Sequence, residues 1–90
     1  MTNEATQETI SSRVEEIIRR QIGEDAELTP DTDLLNDLAI DSLELVETGL
    51  TIEKAFGKKL PTVDLRRCVT VGELVQLVQR VTSEGQVESV

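Results

Sequence analysis

The sequence predicts an all-α fold: a small four-helix bundle with three main helices, a short third helix and a long loop between helices 1 and 2. Apolar residues recur at helical spacing in three segments, which is typical of amphipathic helices. Two predicted helices begin with a capping-box pattern, and Gly23 and Gly57 follow two predicted helix ends. The 90 residues include one aromatic, so the single modest core must consist of leucine, isoleucine and valine.

Composition excludes several classes of function. With 9 Lys and Arg against 18 Asp and Glu, the formal charge is −9, which argues against a nucleic acid or an anionic membrane as partner. The chain has no histidine, and we expect neither catalytic residues nor a metal site. The single cysteine, Cys68, cannot form an intramolecular disulfide and is expected to be a small, partly buried residue. Without a signal-peptide pattern, the chain is expected in the cytoplasm.

Helix 1 is predicted from about Glu8 to Ile22, after a flexible N-terminus over residues 1–7. Its apolar residues lie on one stripe, which indicates a core-facing helix. That stripe consists of Ile10, Val14, Ile17, Ile18 and Ile22.

A long connection follows, from Glu24 to Ile40. Its leucines, Leu28, Leu34, Leu35 and Leu38, predict that it packs across the bundle. Its acidic residues resemble a calcium-binding loop only weakly, because Leu35 and Asn36 interrupt the required alternation of oxygen ligands. A solvated acidic loop is the favoured interpretation.

Helix 2 is predicted from Ser42 to Phe56. Asp41 is a good N-cap and Glu44 follows three residues later, which completes a capping box. Ser42 therefore lies in the first turn without being needed as the cap. Its hydroxyl is left free at the positive end of a helix, where an attached phosphate is favourably placed.

Helix 2 carries two apolar stripes. Leu45, Ile52 and Phe56 are expected to face the core. Leu43, Val46 and Leu50 are expected to lie partly exposed beside Ser42 with a charged rim, which is the layout of a protein-docking surface. The alternative is that helix 2 is buried on both sides. Gly49 indicates either a close neighbour or interior room.

The remaining chain predicts two further helices. A short helix over Thr62–Cys68 is anchored weakly by Val63 and Leu65, and Arg66 and Arg67 make it locally basic. Helix 4 starts after Thr70, with Glu73 completing a second capping box, and its apolar stripe extends to Val81. The helical domain is therefore placed at residues 8–82, with a flexible tail over 83–90.

The region around Ser42 resembles the modification site of acyl carrier proteins. Asp41-Ser42-Leu43 follows Asp37-Leu38, precedes an acidic helix and is combined with Thr70-Val71-Gly72-Glu73-Leu74 at the start of helix 4. The resemblance covers roughly Ile10 to Val81. It implies that a phosphopantetheinyl transferase attaches 4'-phosphopantetheine from coenzyme A to Ser42. The arm then holds acyl intermediates as thioesters, and the protein itself is not an enzyme.

The resemblance also implies how partners are recognised. Acyl-loading and acyl-processing enzymes with basic docking surfaces are expected to contact a free-standing monomer. The matching positions are Asp41, Leu43, Glu44, Val46, Glu47, Leu50 and Glu53. Ala39 stands where the family often has glycine, and Lys54 interrupts the acidic run of helix 2. A polyketide-like or other specialised acyl pathway is therefore as plausible as housekeeping fatty-acid synthesis.

A second hypothesis belongs to a different class of function. The chain would then be an unmodified acidic helical module that docks a basic partner through helix 2. Ser42 would be an ordinary first-turn serine. Attachment of the arm distinguishes the two hypotheses.

Overall fold

The computed structural model describes the backbone of residues 2–23 and 26–88 and the side chains of residues 10–23 and 26–82. Over these ranges the chain forms four helices: α1 (Thr2–Ile22), α2 (Ser42–Phe56), α3 (Thr62–Arg66) and α4 (Val71–Glu88). The described backbone contains no strand beyond an isolated antiparallel bridge between Asp33 and Thr70. The predicted all-α, four-helix architecture is confirmed.

Three helix boundaries differ from the prediction. The first helix, α1, begins at Thr2 rather than near Glu8, and α4 continues to Glu88 rather than ending near residue 82. Neither extension contains proline, so the helical backbone continues where the apolar stripe no longer marks it. The short helix α3 ends at Arg66 instead of Cys68. Mobility of residues 1–7 and 83–90 stays a prediction, and residues 1, 89 and 90 lie outside the described backbone.

The core is aliphatic, as the scarcity of aromatic residues predicts. All four helices and the long loop contribute to it. Its buried members are Val14, Ile18, Leu34, Ile40, Leu45, Ile52, Leu60, Leu65, Val71, Leu74, Leu77 and Val78. Phe56 packs at the edge of this core, where the Arg13 guanidinium lies 4.7 Å from the centre of its ring. The predicted core faces of α1, α2 and α4 are therefore confirmed.

The long loop packs against the bundle through both its backbone and its apolar side chains. The Leu34 N–H donates to the Val69 carbonyl at 2.8 Å, and the Val71 N–H donates to the Thr32 carbonyl at 2.9 Å. The side chains of Leu34 and Ile40 are buried in the core, and Leu28 and Leu38 pack against it. Leu35 is an exception to the predicted packing, since 59% of it is exposed. The segment before Ser42 is thus tied to the start of α4.

The central helix α2 meets α3 at Gly49. A Cβ atom on Gly49 would collide with a methyl group of Leu65, so α3 packs directly against this backbone. This contact explains the glycine in the middle of α2: of the two alternatives, a close neighbour and interior room, the structure shows the close neighbour. Leu65 is buried, but Val63 is 63% exposed, so the prediction that Val63 anchors α3 is wrong.

The capping box predicted at the start of α4 and the glycine predicted after α2 are confirmed. At α4 the Glu73 N–H donates to the Thr70 hydroxyl at 3.2 Å, and the Thr70 N–H donates to the Glu73 carboxylate at 3.3 Å. The second helix, α2, ends at Gly57, whose φ of 69° favours glycine. Within the described part of the chain, no helix has the length and apolar character needed to cross a membrane.

Candidate functional site

The start of α2 is held by a reciprocal pair of hydrogen bonds. The Glu44 N–H donates to the Asp41 carboxylate at 2.9 Å, and the Asp41 N–H donates to the Glu44 carboxylate at 3.3 Å. The predicted capping box is therefore present, and it satisfies backbone groups that would otherwise lack partners. Because Asp41 is the cap, Ser42 has no capping role.

Ser42 is the first residue of α2, and its side chain is exposed. Its hydroxyl makes no hydrogen bond with any residue that the structure describes. The backbone around it is rigidly capped, whereas the hydroxyl itself is available for reaction with a molecule from solution. A serine in this setting is suited to covalent attachment of a group.

A tight turn at Asp33 precedes this site. The Asp33 carboxylate accepts hydrogen bonds from the N–H groups of Asn36 at 2.8 Å and Leu35 at 3.0 Å. The bond from the Asn36 N–H is the main cause that lowers the pKa of Asp33. Asp37 accepts a bond from the Asp33 N–H at 2.8 Å. The Asp33 and Asp37 carboxylates therefore fix the backbone of this turn through hydrogen bonds. Among the described residues, no group of side chains is arranged to bind a metal ion.

Ala39 adopts a left-handed backbone conformation two residues before Asp41. Its φ is 57°, a region that favours glycine. The family that the sequence resembles often has glycine at this position. Alanine therefore holds this left-handed conformation at a cost in strain.

A groove of about 460 Å³ opens beside Ser42, between the long loop, the start of α2 and the segment that joins α3 to α4. Leu34, Ile40 and Leu45 give it apolar lining, and all three are buried. Arg66 and Cys68 contribute to the same lining. The groove gives an extended group attached to Ser42 a place to lie against the protein.

The residues predicted to contact partners lie along α2 and its N-cap and differ in exposure. Leu43 and Leu50 are 68% and 53% exposed, so both present apolar surface to solvent. Asp41 and Glu47 are exposed, whereas Glu44 and Val46 are partly buried. The alternative that α2 is buried on both sides is wrong. Contact with partners stays a prediction for all of these positions.

Glu53 has a second role that the sequence did not reveal. Its carboxylate accepts a 2.7 Å hydrogen bond from the Leu60 N–H, which fastens the segment after α2. Nothing in the spacing of residues 53 and 60 indicates this bond, because it depends on the turn at Gly57. Glu53 therefore combines a predicted partner contact with an observed structural bond.

Cys68 and Arg66 are the groove residues that sequence reasoning did not connect with Ser42. The Cys68 thiol is half-buried and donates weakly to the Asp64 carbonyl at 3.5 Å. Burial, with the nearby carboxylates of Glu73 and Asp64, raises its pKa to about 11. The basic pair Arg66-Arg67 marks this region in the sequence, but only the packing of α3 on α2 places Arg66 in the lining of the groove that Ser42 shares.

Comparison with known proteins agrees with this geometry. Residues 12–78, a segment that contains Ser42, match the family model described as "Phosphopantetheine attachment site". The chain is 41% identical over 82 residues to the meromycolate extension acyl carrier protein of Mycolicibacterium smegmatis, covering 90% of this chain and 83% of that protein. It is 38% identical over 81 residues to the acyl carrier protein of Rhodococcus erythropolis, with 89% of each covered.

The fold is also found among solved structures. A candidate acyl carrier protein from Mycobacterium tuberculosis superposes with a TM-score of 0.75 at 25% sequence identity. The match covers 79% of this chain and 96% of that one. Taken with the segment that matches the phosphopantetheine family, these relatives show that the chain belongs to the acyl carrier protein family, whose cofactor is 4'-phosphopantetheine.

Proposed function

We propose that Ser42 carries the 4'-phosphopantetheine arm, transferred from coenzyme A by a separate phosphopantetheinyl transferase. The observation that carries this proposal is the exposed Ser42 hydroxyl, which has no hydrogen-bond partner in the described structure and lies beside a groove. The family match supports it, because the matched segment contains this serine. The residues present therefore fit the cofactor.

The chain acts as a carrier and not as an enzyme, as the family and the names of its relatives indicate. When bound, the arm supplies a terminal thiol that holds an acyl group as a thioester. The protein's own residues present the serine: Asp41 and Glu44 fix the helix start, and the loop before it is tied to α4. The chain thus contributes position and recognition rather than a catalytic step.

We further propose that the cargo consists of acyl intermediates of a fatty-acid, polyketide-like or other specialised pathway. Relatives at about 40% identity are named for meromycolate extension, which favours a role in building acyl chains. Ala39 and Lys54 depart from the family pattern, and this supports a specialised carrier as much as a housekeeping one.

The exposed side of α2 is the surface we propose for partner enzymes. Exposed Leu43 and Leu50 supply apolar contact, and Asp41 and Glu47 supply negative charge. A basic docking surface on the transferase or on an acyl-processing enzyme complements this arrangement. We propose that the chain works as a monomer in the cytoplasm, where such encounters are transient.

Intact-protein mass spectrometry tests the attachment site. Wild type, Ser42→Ala and Ser12→Ala are incubated with coenzyme A and a broad-specificity phosphopantetheinyl transferase. We expect one added phosphopantetheine on wild type and on Ser12→Ala, an exposed serine of α1, and none on Ser42→Ala. Because the Ser42 hydroxyl has no described partner, Ser42→Ala should change the free energy of unfolding by less than about 0.5 kcal/mol.

Two outcomes contradict the proposal. Modification of Ser42→Ala would place the arm on another residue. Absence of any addition on wild type with several transferases would favour the unmodified docking module. Circular dichroism on each variant confirms that a missing addition does not reflect a failure to fold.

A further inference from the structure

The groove beside Ser42 has an uneven distribution of charge. Asp33 and Asp41 lie on its rim, and both carboxylates already accept hydrogen bonds from backbone N–H groups. Arg66 supplies a positive charge to the same lining. Its side chain is exposed and makes no hydrogen bond or ion pair with the described residues. The groove that Ser42 lines is therefore also lined by an arginine without a partner among the described residues.

A phosphate at Ser42 would enter an acidic neighbourhood. The positive end of α2 favours a phosphate, but Asp41 precedes the serine and Glu44 follows it within the same turn, so their carboxylates oppose the added negative charge. Arginine is the side chain best suited to offset that repulsion, because its planar guanidinium donates paired hydrogen bonds to phosphate oxygens. Arg66 is the last residue of α3, which packs against Gly49 of α2, and it lines the same groove as Ser42.

We propose that the Arg66 guanidinium pairs with the phosphate that joins the arm to Ser42, so that the arm leaves the serine along this groove. The inference rests on the proposed attachment at Ser42. The arm fits this groove because its phosphate carries the charge opposite to that of Arg66. The buried leucine and isoleucine side chains of the groove accommodate apolar parts of the arm. Arg66 is then a positioning residue for the arm.

Arg67 provides a matched control within the same chain. It has the same charge and is next in sequence, yet it borders a different hollow between α3 and α4, together with Asp64 and Glu73. A general effect of charge would appear equally in Arg66→Gln and Arg67→Gln. An effect of pairing with the phosphate would appear only in Arg66→Gln.

The test compares thermal unfolding of the unmodified and arm-bearing forms of wild type, Arg66→Gln, Arg66→Lys and Arg67→Gln at low salt. We expect attachment to lower the melting temperature of Arg66→Gln by about 2–4 °C more than that of wild type. Arg67→Gln should match wild type and Arg66→Lys should recover part of the difference. The difference should fade in about 0.5 M salt, because exposed ion pairs are screened.

A second readout follows the side chain directly. In ¹H–¹⁵N spectra the Nε–Hε resonance of Arg66 should shift on attachment of the arm, and that of Arg67 should not. Equal melting shifts in wild type and Arg66→Gln, with an unmoved Arg66 resonance, would overturn the pairing while mass spectrometry still shows the arm on Ser42. If wild type gains no arm at all, the proposed function itself fails.

Discussion

Ala39 carries backbone strain in the segment that leads to Ser42. Its φ of 57° is costly for a residue with a Cβ atom, by about 1–2 kcal/mol. Glycine adopts this conformation freely but loses more entropy on folding. We therefore expect Ala39→Gly to raise the free energy of unfolding by about 0.5–1 kcal/mol, measured by urea denaturation.

Ala55→Gly is the matched control for this substitution. Ala55 is the penultimate residue of α2 and its φ is not positive, so the same chemical change should lower the free energy of unfolding, by up to about 1 kcal/mol. A loss of stability in Ala39→Gly similar to that in Ala55→Gly would contradict the strain at position 39.

Cys68 is predicted to be a slow nucleophile in the folded protein. Its pKa rises from 9.0 to about 11, so the thiolate fraction near pH 8 falls about 100-fold. We expect iodoacetamide to alkylate the native protein at least about tenfold more slowly than the same chain in urea, because the greater nucleophilicity of a more basic thiolate offsets part of the smaller thiolate fraction; the native rate should keep increasing up to about pH 11. Since the chain has one cysteine, the mass of the intact protein measures alkylation of Cys68 directly. Native and unfolded rates within threefold of each other would disprove the shift.

At the scale of elements, one side of α2 packs in the core and another side is exposed for the proposed contact with partners. Leu45, Thr48 and Ile52 are buried, and the Thr48 hydroxyl donates to the Glu44 carbonyl at 2.9 Å within the helix. Leu43 and Leu50 remain exposed on another side. A substitution on the exposed side is therefore expected to alter partner binding without unfolding the bundle.

Glu47→Lys and Leu50→Ala test this expectation with a phosphopantetheinyl transferase as partner. We expect kcat/KM for arm transfer to fall about three- to tenfold in each variant, because one loses charge complementarity and the other loses apolar contact. Glu27→Lys, an equal charge change at an exposed loop residue, is the control. Stability should change by less than about 0.5 kcal/mol in all three. A fall as large in Glu27→Lys as in Glu47→Lys would show that net charge, and not α2, guides the encounter.

At the scale of the whole molecule, the features that repeat along the chain were predictable. Val14 and Ile18 of α1, like Leu45 and Ile52 of α2, are buried because helical spacing places them on one side. The capping boxes were predictable because each joins residues three apart. Ser42 was predictable as the candidate site because a complete capping box leaves its hydroxyl free.

Contacts between distant segments left no such record in the sequence. The Leu34 N–H bonds to the Val69 carbonyl, and every residue other than proline has both of these backbone groups. The residue types at these positions therefore do not predict the bond. Gly49 was recognisable as unusual, but the partner that explains it, Leu65, belongs to another helix. The groove that unites Ser42 with Arg66 and Cys68 exists only after α3 has packed on α2.

Backbone hydrogen bonds, and not the side chains that line the groove, connect the long loop to the start of α4. The bonds that link Thr32 and Leu34 to Val71 and Val69 do not depend on the identity of side chains. Exposed side chains along the groove, such as Leu35, Arg66 and Val69, can therefore be exchanged while the serine keeps its place. A carrier built in this way is open to retuning, whether by evolution or by engineering, toward different cargo with one unchanged scaffold.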